Sequence, residues 1–147
     1  MIVESMTPDE RLQEAARLFD RAHRVSLHNS RAAIKARKVA KSFPAFVPPL
    51  IHKNNTDGEY TILEIYHSEE MAKMCLTSPH VIKQMKNWTT RPMLIIQSLI
   101  NDSIIIYEVT PHAMQRFRER AQKPEATRMD IATVLCIDIF NYAVQVN

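Results

Sequence analysis

Apolar positions along the chain follow two rhythms. Leu12, Ala15, Ala16, Phe19 and Ala22 recur at helical spacing, which predicts an amphipathic helix. Thr7-Pro8-Asp9-Glu10 opens it, with Thr7 as N-cap, Pro8 in the first position and Glu10 closing a capping box. The stripe weakens from Val25 to Ser30 and resumes at Arg31, so the chain forms one helix to about Ser42 or two broken near His28-Asn29-Ser30. Pro44 ends it, because the residue before a proline is pushed out of the helical region. Pro48-Pro49 limits any strand at Phe46 to Ile51 to a short one at a sheet edge.

Past Asn54-Asn55-Thr56-Asp57-Gly58, a turn in which Gly58 can take positive φ, the rhythm changes to alternation. Glu59 to Tyr66 reads as a strand, with Leu63 and Ile65 on one face and Tyr60, Ile62, Glu64 and Tyr66 on the other. Ser68-Glu69-Glu70 caps a helix whose buried side is Met71, Met74 and Cys75. Ser78-Pro79 marks a break and a fresh start, with Val81, Ile82 and Met85 carrying the apolar side of a helix towards Trp88. Met93 to Ile100 and Ile104 to Val109 are strongly apolar and form a hairpin through Asn101-Asp102, covered on both faces. Thr110-Pro111 starts a further helix that stops near Pro124, and Thr127 with Asp130 caps the last one. Ile131, Val134, Leu135, Ile139, Phe140 and Ala143 make that last helix largely buried, in the core or against a second copy of the chain. The chain ends on apolar residues, as a docked tail or as a fragment of a longer protein. The pattern predicts one domain over 1–147 of the α+β class: a helical N-terminal third, then a small, mainly antiparallel sheet with packed helices.

Composition narrows the functions. With Gly58 as the only glycine, phosphate-cradling glycine loops are excluded. Cys75 and Cys136 have no zinc or C-x-x-C spacing and read as buried free thiols in a reducing cytoplasm. No metal, cofactor or membrane partner is expected, as no apolar run approaches a membrane span. The net charge of +3 is small, but its distribution is uneven. No Asp or Glu occurs from Arg21 to Thr56, while Arg21, Arg24, Arg31, Lys35, Arg37, Lys38, Lys41 and Lys53 do. On a continuous helix Arg24, His28, Arg31, Lys35 and Lys38 share one stripe, either a solvated face or a track for a phosphate backbone. Without interleaved aromatic residues the stripe is no base-stacking surface.

The helix after Thr110-Pro111 concentrates chemistry. His112, Arg116 and Glu119 share a face at i, i+4, i+7, with Arg120 one turn beyond Arg116. Histidine can exchange a proton near neutral pH, and guanidinium holds a phosphate bidentately. With an RNA 2′-OH as nucleophile, phosphodiester cleavage there needs no metal. The competing reading is a surface helix with an Arg116–Glu119 pair. Thr110-Pro111-His112-Ala113-x-x-Arg116-Phe117-x-Glu119-Arg120 resembles the H-A-x-x-R-x-x-E-R signature of a domain-of-unknown-function family near the RelE-like and BrnT-like toxins. Those are compact ribonucleases of toxin–antitoxin systems. It also resembles a group of uncharacterised bacterial proteins with H-x-x-x-R-[YF]-x-E-R after a strand.

The leading expectation is therefore an RNA-binding, cytoplasmic protein with toxin-like, metal-independent ribonuclease activity. In it His112 is the acid–base group, Arg116 and Arg120 bind phosphate, and Glu119 orients Arg116 or acts as a second base. Arg24, Arg31, Lys35 and Lys38 carry the nucleic acid, and an antitoxin-like protein and a second copy of the chain are the expected partners. The alternative is a non-enzymatic nucleic-acid-binding or protein-interaction module that self-associates.

Overall fold

The structure, a computed structural model, describes residues 6–27, 30–84, 93–98 and 103–146. Helices α1 (Pro8–Leu27) and α2 (Ser30–Val39) precede strands β1 (Ala45–Phe46), β2 (Leu50–Asn54) and β3 (Gly58–Tyr66). After α3 (Glu69–Lys73) come β4 (Ser78–Gln84), β5 (Met93–Ser98), β6 (Ile104–Val109), α4 (Pro111–Arg120) and α5 (Arg128–Val146). The strands form one antiparallel sheet in the order β1-β3-β4-β5-β6, with β2 beside β1 on the same edge of β3. The expected α+β class holds. The expected break at His28-Asn29, the helix towards Trp88 and the Asn101-Asp102 turn lie outside the described residues.

Alternation along the strands divides the core in two. Tyr60, Ile62, Val81, Leu94 and Ile96 face α1, meeting Ala15, Leu18, Phe19 and Ala22. Leu63, Ile65, Ile82, Met93 and Ile95 face the other way, against Met114 of α4 and Ile131, Ala132 and Cys136 of α5. A smaller cluster seats α2 and α3 on Tyr66 and Val47 through Ala36 and Ala72. The result is a sheet between two helical layers. No helix among the described residues is long and apolar enough to cross a membrane.

The expected helix starts are present. Glu10 N–H donates to Thr7 Oγ1 at 3.2 Å, and Ala113 N–H to Thr110 Oγ1 at 3.0 Å. Thr127 N–H donates to Asp130 Oδ2 at 2.9 Å while Asp130 N–H donates back to Thr127 Oγ1 at 3.1 Å, a reciprocal cap. At the far end of α4, Gln122 takes φ +55, and Lys123 N–H closes onto Arg118 O at 2.9 Å, so the helix stops before Pro124.

Two segments differ from expectation. Ser78–Gln84 is a strand, not the start of a helix. Pro79 is tolerated because it pairs with Glu64 of β3 on one side only; the described pairing with β5 begins one residue later, at His80. Helix α3 ends after a single turn, and Cys75 has φ +57. The apolar stripe expected across Met71, Met74 and Cys75 therefore never forms. Met74 and Cys75 are exposed, and Ala72 is the residue α3 buries.

The turn between β2 and β3 behaves as expected, with Gly58 at φ +70. A Cβ there would lie 3.1 Å from Lys83 Nζ in addition to the left-handed strain. Gly58→Ala should cost about 1–2 kcal/mol, read as a lower midpoint in chemical unfolding; an unchanged midpoint would mean the turn relaxes freely.

Candidate functional site

Helix α4 carries the four residues singled out for chemistry, all exposed. Arg116 Nε–H points at His112 Nε2 at 3.5 Å, so the imidazole accepts there and the contact requires its neutral form. Glu119 does not pair with Arg116; its Oε1 accepts from Gln115 Nε2 at 3.2 Å. Arg116 and Arg120 stand beside an open groove of about 490 Å³ between α4 and α5. Its other lining is apolar: Val109, Ala113, Phe117, Ala121, Ile131 and Leu135. His112 is not part of that lining.

The start of α4 offers an anion little. Pro111 has no N–H, Ala113 N–H is taken by Thr110 Oγ1, and Met114 N–H by Thr110 O at 3.0 Å. That leaves the His112 amide as the sole first-turn donor open to an anion. Histidine and arginine thus share a ridge, but no second described element brings an acid or base to His112.

The basic residues are arranged differently. Arg31, Lys35 and Lys38 are exposed and stand one turn apart along the outer face of α2, whose inner face buries Ala36. Exposed Ile34 and Val39 flank them. Arg24 belongs to α1 instead, with its Nε–H 3.4 Å from Asp20 O, so the stripe is carried by two helices. Arg21 drops out of the basic run. It donates to Asp57 Oδ2 at 3.1 Å, and Arg17 donates to Asp57 Oδ1 at 2.5 Å.

Asp57 is a residue sequence reasoning placed only in a turn, yet it is 1% exposed. Burial pushes its carboxyl up, but the hydrogen bond and charge of Arg17, with Asn54 and Arg21, outweigh this and hold it below its ordinary range. Lys83, also missed, donates to Asp57 O at 2.5 Å and to Glu59 O at 3.0 Å. This network ties α1 and β4 to the β2–β3 turn and has every charge answered. The one signal in the sequence was Arg17 and Arg21 at i, i+4 on α1.

On the opposite face of the sheet His80 is fully buried, directly across from buried Gln97. Its Nδ1 lies 3.3 Å from Ser78 O, and the His67 ring is 6.5 Å away. His80 Nε2 and Gln97 Oε1 have no hydrogen-bond partner among the described residues. Burial pushes both histidines down to about 4; for His80 the neighbouring His67 adds to this and the carbonyls of Ser78 and Leu63 oppose it. Burial likewise pushes the Cys136 thiol up to about 12, as expected of an inert core cysteine. Among the described residues no group of three metal-ligating side chains converges.

Because both histidines bind protons more weakly folded than unfolded, the unfolded chain takes up protons first. Stability should therefore fall as pH drops from 6.5 towards about 4. The slope should be at most about 1.4 kcal/mol per pH unit for each histidine. His80→Leu should flatten the slope in urea unfolding across that range; an unaltered slope would assign the pH dependence to other groups.

No protein-family model, curated protein or solved structure matches this chain. The motif on α4 thus rests on its own residues and on where the fold puts them.

Proposed function

We propose that this protein is an RNA-binding module that holds the phosphate backbone on the outer face of α2, and that it binds without cutting. The observation that carries this is the pairing of charge. Arg11, Arg17, Arg21 and Lys73 each meet a carboxylate. Arg31, Lys35 and Lys38 have none among the described residues, on a helix that contains no acid at all. Unpaired cations at one-turn spacing on an exposed helix are the electrostatic footprint of a polyanion site. Each phosphate they neutralise releases counterions, so affinity depends steeply on salt.

Cleavage is the second reading, favoured by the His112–Arg116 contact. Against it stand the open exposure of His112, the lack of a hydrogen bond from it to a second base among the described residues, and the occupied amides at the start of α4. General acid–base catalysis depends on a proton-transfer group held within hydrogen-bond reach of the reacting atom, and an exposed helix ridge supplies little to fix one.

Two measurements test this. Binding of an RNA duplex should weaken with salt, and changing Arg31, Lys35 and Lys38 together to Gln should reduce the log–log slope by about 2–3. An unchanged slope would leave α2 a solvated face. Incubated with mixed RNA in EDTA, the protein should leave it intact. Degradation that His112→Ala lowers by about 10²–10⁴ would instead establish the cleavage reading.

A further inference from the structure

We propose that the open edge of β6 is where two copies of this chain join, antiparallel and about a two-fold axis, into one continuous sheet. Strand β6 ends the sheet, and among the described residues no strand pairs with its outer side. Its six residues pair with β5 one for one, from Ile104↔Ser98 to Val109↔Met93, with no bulge. The sequence Ile104-Ile105-Ile106-Tyr107-Glu108-Val109 has no proline, lysine or glycine. Straight, apolar edges without such interruptions are templates for another strand.

The opposite edge shows what protection looks like in this same chain. There Pro48-Pro49 separates β1 from β2, the pieces are two and five residues long, and Lys53 sits on the longer one. Among the described residues, β6 is the edge left without such interruptions. A contact that uses that edge alone, symmetrically, closes at two copies and does not propagate into a filament.

Burial points the same way. Leu94, Ile95 and Ile96 of β5 are at most 1% exposed, covered by helices on both faces. Ile104 and Ile106 pack against the α1 layer and Tyr107 against the opposite one, yet these three and Ile105 remain half-buried. A neighbouring strand of matching composition would complete their cover on both faces at once.

The geometry also selects a register. For the α1 layer of one copy to continue into that of the other, paired residues must lie on the same face. Any two-fold centred on a residue does this; the one centred on Ile106 also keeps the pairing within β6, setting Ile106 opposite itself, Ile105 opposite Tyr107, and Ile104 opposite Glu108. It leaves out Val109, which is already buried in the core beneath α4. Glu108, the one charge on the strand, never meets its own copy and keeps its ion pair with Arg11.

Sedimentation equilibrium of the wild-type chain should give twice the mass of one chain. Ile105→Lys should give a single chain with an unchanged circular dichroism spectrum, while Ile51→Lys, on the protected edge, should stay dimeric. In a Cys75→Ser background, single cysteines at Ile104, Ile105, Ile106 and Tyr107 should cross-link under mild oxidation most strongly for Ile106→Cys. Directly opposed antiparallel residues have Cα atoms about 4.5–5.5 Å apart, within the range a disulfide spans. A wild-type chain that sediments as one copy would overturn the proposal. So would a dimer that survives Ile105→Lys or is lost in Ile51→Lys. Should Ile105→Lys fail to fold, the cysteine series decides alone, and absence of any cross-link from the four positions would overturn the proposal.

Discussion

A strand buried on both faces cannot be satisfied by one layer of helices. Met93, Leu94, Ile95 and Ile96 of β5 are all buried, two to each side of the sheet. The apolar surface on each side must be removed from water separately. The N-terminal helix covers one side and the C-terminal pair covers the other, so the two ends of the chain pack on opposite faces of the same strands. The rest follows from that requirement. Helix α4 begins where β6 ends because Thr110-Pro111 turns the chain at once onto the open face. Helix α1 is held over its face by ion pairs at two places, Arg11 to Glu108 and Arg17 with Arg21 to Asp57.

Those ion pairs divide the charges of the protein into two groups. Arg17, Arg21 and Lys83 are answered by Asp57 and by carbonyl oxygens, so they belong to the architecture. Arg31, Lys35 and Lys38 are answered by nothing described and face outward. Net charge conceals this division, since a value of +3 is unremarkable for the whole chain. The distinction matters physically because a cation paired with a carboxylate is already neutralised, while an unpaired exposed one keeps its field in solvent. A basic run counted from sequence mixes both kinds. Arg21 shows the error: it stands in the acid-free stretch by position, but Asp57 reaches it from 36 residues away.

What could be read in the sequence was local chemistry. Thr7-Pro8, Thr110-Pro111 and Thr127 mark their helices because capping depends on residues three apart, and Gly58 marks its turn because φ is a property of one residue. Ser78–Gln84 reads as a helix start because Pro79 follows a serine, a common helix opening, and because Val81 and Ile82 are both buried, which removes the alternation of a one-sided strand. Its strand character comes from β3 and β5, far away in sequence. Cys75 reads as buried for a related reason. The helical stripe through Met71 and Met74 continues on paper, but the chain leaves the helix after one turn. The candidate site fared similarly: residue identities on α4 were legible, whereas enclosure, which decides whether they can do chemistry, depends on which elements face them.

Enclosure separates the two functional readings. Among the described residues, the polar groups this fold takes out of water include Asp57, Lys83, His80 and Gln97. The first two are locked into a charge network, and the last two sit between β4 and β5 beneath the helical layer. None is hydrogen-bonded to His112. Of the candidate residues, His112, Arg116 and Arg120 are left in solvent on one layer, and Arg31, Lys35 and Lys38 on the other. Catalysis of phosphodiester cleavage draws on fixed donors and bases in a water-poor site, and a bare helix ridge has neither. Holding a polyanion needs only unpaired cations at suitable spacing in contact with solvent, where counterion release supplies the driving force. The fold buries Asp57 and His80 away from the surface and leaves Arg31, Lys35 and Lys38 on it, and that division favours binding over cleavage.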